Sequence, residues 1–230
     1  ISGGIDSAVT STLCALTGKR VIVLNLPIRQ FSAEFSRSEE HIHWLKRSFS
    51  NVESDTVDLT AALEALETAF PQGIQDFLTM ANTRARLRMT TLYAFATRYR
   101  LLVTGTGNKV EDFGVGFYTK YGDGGVDISP IADLYKTEVY TLGKTLNIVE
   151  SILNAKPTDG LFEDNRTDED QLGATYPELE WAMSYLQNGD KEPLNNRQKK
   201  VMEIYTSRHK ANLHKMIPIP VCTIPKNLKQ

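Results

Sequence analysis

The first residues of this chain constrain its fold more than any other segment. Residues 2–7 are Ser-Gly-Gly-Ile-Asp-Ser, and a helix-forming run follows directly in residues 8–16. Paired glycines let the backbone turn sharply enough to aim successive N–H groups at one point, and a helix that begins beside them adds the positive end of its dipole. The pattern predicts a loop that binds an anion such as a phosphate group.

Asp6 narrows the kind of anion. The loop is shorter than a Walker A loop and has no lysine after its glycines, so Asp6 is its only charged residue. A carboxylate repels a polyphosphate unless a divalent cation lies between them, and Mg²⁺ prefers such oxygen ligands. We therefore expect ATP or pyrophosphate together with Mg²⁺. The alternative is a simple glycine turn in which Asp6 or Ser7 caps the helix.

Length and composition favour an intracellular globular protein. A chain of 230 residues can bury one substantial core, which predicts a single domain over residues 1–230. The net charge of -2 indicates no nucleic-acid-binding surface. We see no apolar run of membrane-spanning length and no signal-peptide pattern. Cys14 and Cys222 form no C-x-x-C pair, so we expect a buried, reduced Cys14 and a cytoplasmic location.

Apolar runs alternate with amphipathic segments, which predicts an α/β fold with a parallel sheet flanked by helices on both faces. The predicted strands are residues 21–26, 52–59 and 101–104, and the predicted helices include residues 38–47, 60–70, 75–99, 136–146, 176–186 and 197–211. A phosphate-binding loop of this kind normally follows a buried parallel strand. We therefore expect that a helix and a first strand precede Ser2 in the natural protein.

Ligands of such folds bind outside the carboxyl ends of the strands. The opening loop, the region after residue 26 and residues 105–111 are placed there, and a second glycine-rich stretch spans residues 117–127. Residues 156–173 are rich in acids and turn formers, which predicts an exposed mobile loop or lid. His41 and His43 lie two apart on a helix and face different ways, so we expect no zinc site there.

Four segments together resemble the ammonia-dependent NAD synthetase family from Ser2 to about Pro220. They are the opening loop, residues 105–109 (Gly-Thr-Gly-Asn-Lys), residues 118–125 (Tyr-Thr-Lys-Tyr-Gly-Asp-Gly-Gly) and residues 157–158 (Pro-Thr). The opening loop alone is shared with GMP synthetase, asparagine synthetase and tRNA-thiolating enzymes, whereas residues 105–136 are more specific. The resemblance implies a Rossmann-like ATP pyrophosphatase fold and, from the short members of the family, a homodimer.

The resemblance also implies a two-step reaction. The carboxylate of nicotinic acid adenine dinucleotide (deamido-NAD) attacks the α-phosphorus of ATP and releases pyrophosphate, and ammonia then displaces AMP. A carboxylate is a poor acyl donor, so adenylation supplies a leaving group while the enzyme positions the reactants and neutralises phosphate charge. The implied partners are ATP with Mg²⁺, deamido-NAD and ammonia, without nucleic acid or membrane.

The resemblance assigns residues to ATP and to the metal. Asp6 and Glu111 match the two Mg²⁺ ligands, and Lys136 supplies the positive charge that the opening loop lacks. Without the family match, Glu111 and Lys136 are ordinary solvated residues. The family's ATP contacts match Ser2, Gly3, Gly4, Asp6, Ser7, Thr106, Lys136 and Thr158.

The family's dinucleotide contacts match Arg86, Lys120, Asp127, His214 and Lys215. Arg84, Arg86 and Arg88 alternate along a helix at about 200° intervals, so they cannot all point one way. Arg86 holds the position that matches the family, and a guanidinium suits a phosphate or carboxylate. The alternative for His214 is a plain surface histidine.

Ammonium must lose a proton before it attacks, and a nearby carboxylate could accept that proton. Asp123 and Glu169 are the candidate catalytic residues, although acid runs such as that around Glu169 are usually only solvated. Gln171 stands where the family commonly has a second acid. Three alternatives stay open: a glutamine-dependent NAD synthetase domain, a GMP synthetase-like amidotransferase, and a silent nucleotide-binding module. The joint presence of Asp6, Glu111 and Lys136 argues against the silent module.

Overall fold

The computed structural model describes residues 1–29, 32–155, 168–189 and 191–229. The first half contains α1 (Ile5–Leu16), β1 (Val21–Asn25), α2 (Ser32–Ser48), β2 (Val52–Thr56), α3 (Thr60–Ala69) and α4 (Phe77–Tyr99). A π-helix (Lys109–Val115) follows, and the second half contains α5 (Lys136–Thr145), α6 (Glu150–Leu153), α7 (Asp168–Leu172), α8 (Tyr176–Asn188) and α9 (Asn196–Met216). Short 3-10 helices lie at Gln72–Ile74 and Lys226–Leu228.

The sheet confirms the predicted α/β class. Strands β1 and β2 pair in parallel, with Val21 opposite Val52. Successive strand residues point to opposite faces. Val23 packs in a buried cluster with Leu45 of α2, whereas Leu24 packs in another with Leu63 of α3. Helices therefore cover both faces of β1, as the apolar run predicts.

The predicted third strand is reduced to a single parallel bridge between Thr104 and Ile128. Two backbone hydrogen bonds support it, from Gly105 N to the Ile128 carbonyl at 2.7 Å and from Asp127 N to the Val103 carbonyl at 2.9 Å. Residue 1 lies beside β1, because the backbone nitrogen of Ile1 donates to the Leu24 carbonyl at 2.5 Å. The opening loop thus starts next to the sheet.

Two further buried clusters hold the second half of the chain in place. One joins α1 to α5 and α6 through Val9, Val139 and Ile152. The other joins the π-helix to α8 and α9 through residues such as Val110, Leu179 and Val201. These clusters bring the first turn of α1, the π-helix and the start of α5 towards one another.

Side chains of α9 form hydrogen bonds with the backbone carbonyls at the end of the π-helix. His209 Nδ1 lies 2.7 Å from the carbonyl oxygen of residue 114. Asn212 Nδ2 donates to the carbonyl of residue 115 at 2.9 Å, and Lys215 Nζ donates to the carbonyl of residue 116 at 2.9 Å. Gly116 has φ +66°, and a methyl group there would overlap the Asn212 side chain. Glycine is therefore required where the π-helix ends against α9.

Some sequence-based expectations are wrong in detail. The prediction of a loop over residues 156–173 fails at 168–172, which form α7, because Leu172 buries its side chain among α8 and α9 residues. Residues 156–167 lie outside the described part of the chain. Cys14 is half-buried rather than buried, and Cys222 is exposed. Among the described helices, none has the length and apolarity to cross a membrane.

Candidate active site

The opening loop forms the predicted turn at the start of α1. Gly3 has φ +83°, and an added Cβ would lie 2.6 Å from the Glu34 carbonyl oxygen, so no other residue fits easily. Helix α1 begins at Ile5, with Gly4 as its N-cap and no side-chain cap. The alternative in which Asp6 or Ser7 caps the helix is therefore wrong. The first amides of a helix lack intrahelical acceptors, and here they are suited to an anion.

Two serine hydroxyls close the loop on itself. Ser2 Oγ and Ser7 Oγ lie 3.0 Å apart, the Ser2 amide donates to Ser7 Oγ at 3.2 Å, and the Gly4 amide donates to Ser2 Oγ at 3.2 Å. Ser7 Oγ also donates to the Gly4 carbonyl at 3.0 Å. The hydroxyls hold the shape of the loop and can turn towards a ligand.

Lys136 lies between the two predicted metal ligands. Its Nζ is 2.5 Å from Asp6 Oδ2 and 2.9 Å from Glu111 Oε1, and the residue is 4% exposed. Lys136 is the first residue of α5, Asp6 lies in the first turn of α1 and Glu111 in the π-helix. The structure thus brings together three predicted site residues from three elements.

The charges of this centre shift one another's pKa values. Burial raises the pKa of Asp6, and the charge of Lys136 only partly offsets that effect. Burial also acts to raise the pKa of Glu111, but the charge of Lys136 and a hydrogen bond from Tyr176 outweigh it and leave that pKa below its ordinary value. Burial acts to lower the pKa of Lys136, yet the two carboxylates raise it well above the usual range. Lys136 is therefore a permanent cation.

Asn108 ties the two carboxylate-bearing segments together. Its Nδ2 donates to Asp6 Oδ1 at 3.3 Å, and its Oδ1 accepts from the Glu111 amide at 3.1 Å as the N-cap of the π-helix. Asn108 is fully buried. It belongs to the Gly-Thr-Gly-Asn segment that carries the family resemblance, but sequence reasoning gave it no role.

Tyr176 is a further neighbour that sequence reasoning missed. Its hydroxyl donates to Glu111 Oε1 at 2.5 Å, and Asp168 Oδ2 lies 3.1 Å from the same hydroxyl. The Tyr176 ring centre is 4.9 Å from Lys136 Nζ. Burial and the neighbouring carboxylates raise the pKa of Tyr176 well above its usual range, so the phenol stays protonated. The 65 positions between Tyr176 and Glu111 explain why no local pattern links them.

The donor set fits a magnesium ion that is shared with a nucleotide. Asp6 and Glu111 supply carboxylate oxygens, and the contacts of Lys136 and Tyr176 with Glu111 both fall on Oε1. In the same part of the chain, no group of three or more His, Cys, Asp or Glu residues could cage a metal. Mg²⁺ is commonly bound by one or two carboxylates plus substrate phosphates, so two acids beside a phosphate loop suffice.

Four of the five predicted dinucleotide contacts form one contact chain. Arg86 donates to the Lys120 carbonyl at 3.3 Å, and Lys120 Nζ donates to the His214 carbonyl at 2.5 Å. Lys215 Nζ, next to His214, donates to the Gly116 and Tyr118 carbonyls at 2.9 and 2.8 Å. The His214 side chain itself is exposed.

Two of the arginines in α4, Arg86 and Arg88, diverge as the helical spacing predicts. Arg86 is exposed, whereas Arg88 turns inwards and donates to the Leu26 carbonyl at 3.0 Å. Burial lowers the pKa of Arg88. Arg86 is thus the member of the set that faces solvent together with Lys120.

Asp127, the fifth predicted dinucleotide contact, already has structural partners. Its Oδ1 accepts from the Tyr93 hydroxyl at 2.9 Å, and its Oδ2 accepts from the Val103 amide at 2.8 Å. These bonds hold the Asp127 loop beside α4 and the segment that precedes Thr104. Asp127 also remains exposed to solvent.

The two candidate proton acceptors have different surroundings. Asp123 Oδ1 accepts from the Thr119 amide at 2.9 Å, and the residue is exposed to solvent. Partial desolvation by the surrounding protein raises the pKa of Asp123. Glu169 Oε1 accepts from the Tyr176 amide at 2.8 Å and so supports the start of α8.

Asp112 is a further acid in this region, and the sequence pattern predicted no role for it. Its carboxyl packs against Gly107, where an added methyl group would overlap it. Burial and then the charges of Glu111 and Asp123 raise the pKa of Asp112 to about 8. Thr106 is half-buried in the same segment, and Thr158 lies outside the described residues.

A parallel α/β sheet whose glycine loop opens a helix beside two acids and a lysine is typical of the ATP pyrophosphatase fold, and the relatives of this chain are enzymes that form C–N bonds. Residues 1–218 match the NAD synthase family model, and the chain belongs to this family. The NH(3)-dependent NAD(+) synthetase of Methanosarcina mazei is 40% identical over 194 residues, which cover 82% of this chain and 73% of that protein. The enzyme of the same name from Alkaliphilus metalliredigens is 37% identical over 232 residues, which cover 97% and 88% of the two chains.

Solved structures show the same relationship. The NMN synthetase of Francisella tularensis superposes with a TM-score of 0.82 at 34% identity and covers 98% of this chain and 87% of its own. The NH3-dependent NAD synthetase of Campylobacter jejuni, in complex with nitrate, gives a TM-score of 0.77 at 27% identity, with coverage of 96% and 87%. The fold and family expected from the sequence are therefore confirmed.

Proposed function

We propose that this chain converts deamido-NAD, ATP and ammonia into NAD, AMP and pyrophosphate. The observation that carries the proposal is the pair of acids, Asp6 and Glu111, held on Lys136 beside the glycine loop. The relatives named NH(3)-dependent NAD(+) synthetase support the choice of substrates. This arrangement suits adenylation, because it places charged side chains where the triphosphate of ATP would bind.

The opening loop and Lys136 bind ATP in this proposal. Amides at the start of α1 and the hydroxyls of Ser2 and Ser7 contact the phosphates, while Lys136 adds a fixed positive charge. Thr106 and Thr158 are the further proposed ATP contacts. Asp6 and Glu111 would hold Mg²⁺, which neutralises phosphate charge when bound.

Other residues of the chain are proposed to orient deamido-NAD and to take a proton from ammonium. Arg86, Lys120, His214, Lys215 and Asp127 form the proposed dinucleotide surface. We favour Asp123 as the proton acceptor because its raised pKa and open position suit a carboxylate that must meet ammonium. Ammonia then attacks the acyl carbon and AMP leaves. Glu169 is the second candidate, with one oxygen bound to the Tyr176 amide.

The assembly and location are also proposals carried by the family. A homodimer with the dinucleotide near the interface fits the short members of the family. The second subunit would then complete the dinucleotide site at the exposed surface around Arg86. A cytoplasmic location fits the free cysteines Cys14 and Cys222 and the absence of a membrane-spanning helix from the described residues.

A mononucleotide acceptor is the second candidate substrate. The Francisella tularensis structure at 34% identity is named an NMN synthetase. The same adenylation and amidation would apply to nicotinate mononucleotide, because the reacting carboxylate is identical.

One assay with separate acceptors tests the proposal. Purified protein is incubated with Mg·ATP and ammonium, and either deamido-NAD or nicotinate mononucleotide is added. We expect NAD, AMP and pyrophosphate in equal amounts from deamido-NAD. Release of ADP and phosphate would contradict the adenylation mechanism, and absence of turnover with either acceptor would favour a silent nucleotide-binding module. A parallel reaction with glutamine in place of ammonium reveals the nitrogen source.

A further inference from the structure

Helix α8 makes polar contacts with two of the three elements that carry the charged centre. Tyr176, at its first position, reaches Glu111 in the π-helix. Glu180, four residues later, reaches the first turn of α5, which begins with Lys136. Residues four apart lie on the same side of a helix. One face of α8 therefore contacts Glu111 and the residue that follows its ion-pair partner Lys136.

We propose that Tyr176 and Glu180 are positioning residues that set the separation of Glu111 and Lys136 and thereby the affinity for Mg·ATP. This inference rests on the proposed function, because it assigns Glu111 to the metal. It concerns how α8 places the groups that bind metal and nucleotide.

The contacts of Tyr176 fix the orientation of the Glu111 carboxylate. The Tyr176 hydroxyl and Lys136 Nζ both contact Glu111 Oε1, at 2.5 and 2.9 Å. With two donors on one oxygen, the carboxylate cannot rotate without losing both. Both of these donors are on Oε1, so Oε2 is the oxygen that we assign to the metal. Tyr176 is 3% exposed, so water does not replace its hydroxyl.

The contacts of Glu180 fix the start of α5. Its Oε1 accepts from the Thr137 amide at 3.0 Å, and its Oε2 accepts from the Thr137 hydroxyl at 2.7 Å. Glu180 is 9% exposed, and a buried carboxylate with two donors is held firmly. Because Thr137 follows Lys136 directly, this pair determines where the lysine leaves the backbone.

The packing of α8 makes the two contacts act together. Leu179 and Ala182 are fully buried, and Leu179 lies in the same cluster as Val110 of the π-helix. Close-packed interiors transmit displacement rather than absorb it. A shift of α8 would therefore move Glu111 and Lys136 at once.

The decisive variant is Tyr176→Phe, which removes the hydroxyl and keeps the buried ring over Lys136. Its matched control is Tyr205→Phe, because Tyr205 lies in the same cluster and is 5% exposed. Mn²⁺ binding in the presence of a non-hydrolysable ATP analogue is measured by electron paramagnetic resonance, alongside the melting temperature. Loss of an outer partner of a metal ligand typically weakens metal binding by about tenfold or more. We expect that loss in Tyr176→Phe and wild-type binding in Tyr205→Phe.

Equal Mn²⁺ binding in the two variants would overturn the role of Tyr176. Glu180→Gln tests the other contact, because it keeps an acceptor for Thr137 but removes the charge. We expect weaker Mn²⁺ binding and a non-additive effect when it is combined with Tyr176→Phe. If Glu180→Gln lowers the melting temperature but leaves Mn²⁺ binding unchanged, Glu180 only caps α5. That result would overturn the positioning role proposed for Glu180.

Asp6→Asn separates this inference from the proposed function. If Asp6→Asn abolishes Mn²⁺ binding while Tyr176→Phe and Glu180→Gln do not change it, the metal site stands and the inference about α8 fails. If Asp6→Asn itself leaves Mn²⁺ binding unchanged, the metal assignment fails and the inference fails with it.

Discussion

Lys136 Nζ lies 2.5 Å from Asp6 Oδ2, across 130 positions of sequence. The lysine also contacts Glu111, so one buried cation is shared by two largely buried carboxylates. Charges taken out of water are costly unless they are paired. The fold of the site and its charge balance therefore depend on the same side chain.

Lys136→Met should destabilise the protein by about 3–5 kcal/mol, because it leaves two buried carboxylates without their partner. Urea unfolding at neutral pH measures this change. Added Mg²⁺ should recover part of the loss, since it can replace the missing charge. The control is Lys109→Met, which breaks an ion pair with Asp133, a residue whose side chain is 97% exposed. Such a surface pair contributes at most about 1 kcal/mol. Equal losses in the two variants would contradict the assigned role.

Gly3→Ala should cost more stability than Gly18→Ala, although both glycines have positive φ. At Gly3 the φ is +83° and a new Cβ would meet the Glu34 carbonyl at 2.6 Å, whereas at Gly18 the φ is +70° and no non-neighbouring atom of the described residues lies within 4 Å of a new Cβ. The backbone conformation alone costs about 1–2 kcal/mol for alanine. Unfolding free energies of the two variants give the excess due to the contact. ATP binding should weaken only in Gly3→Ala, and a Gly18→Ala variant that is equally unstable would argue against the contact.

Arg86→Ala should raise the KM for deamido-NAD and leave the melting temperature unchanged. Arg86 is exposed and makes one backbone contact, to the Lys120 carbonyl, so little of the fold depends on it. Hydrogen bonds to charged groups contribute about 1.5–3 kcal/mol, which corresponds to a KM increase of about tenfold or more. Steady-state kinetics at saturating ATP and ammonium measure it. Arg98→Ala, an exposed arginine near the other end of α4, controls for net charge and should leave the KM at its wild-type value.

Stability should fall as the pH drops from 6.5 towards 4 because of His41. His41 is fully buried, and burial lowers its pKa from 6.5 to about 4. In this pH range the unfolded chain binds a proton that the folded chain does not, so acid favours unfolding with a slope of at most about 1.4 kcal/mol per pH unit. Replacing the histidine in His41→Gln should flatten this part of the curve relative to wild type. His43→Gln, at an exposed position on the same helix, should keep the wild-type slope. Identical slopes in both variants would rule out His41 as the source.

The sequence predicts the parts of the site that depend on local pattern. Gly3 and Asp6 are recognisable because a turn into a helix needs glycine and an acid there requires a cation. The proximity of Asp6 and Glu111 follows from the rule that loops after parallel strands share one edge of the sheet. The family match also indicates Lys136, and the structure gives its position, with Nζ 2.5 Å from Asp6 and 2.9 Å from Glu111.

The remaining parts depend on tertiary contacts that leave no local signal. Tyr176 and Asn108 contact acids from distant segments, and their own neighbours in sequence suit any amphipathic helix or loop. Helix α7 was predicted as loop, because three acids in its five residues obscure the one buried leucine, Leu172. The strand at residues 101–104 is apolar enough to be buried, but only Thr104 finds a bridge partner, Ile128. A hydrophobic pattern indicates that a segment is buried, but it does not identify the segment with which it pairs.

The three side-chain contacts from α9 to the end of the π-helix also set an order of events during synthesis. The glycine loop and Asp6 leave the ribosome before α9 (Asn196–Met216), and Glu111 belongs to a turn whose final carbonyls bond to residues of α9. Domains fold as units as they emerge. A nascent chain that ends before α9 therefore lacks the partners of the Glu111 turn, so the charged centre is completed only after α9 has been synthesised.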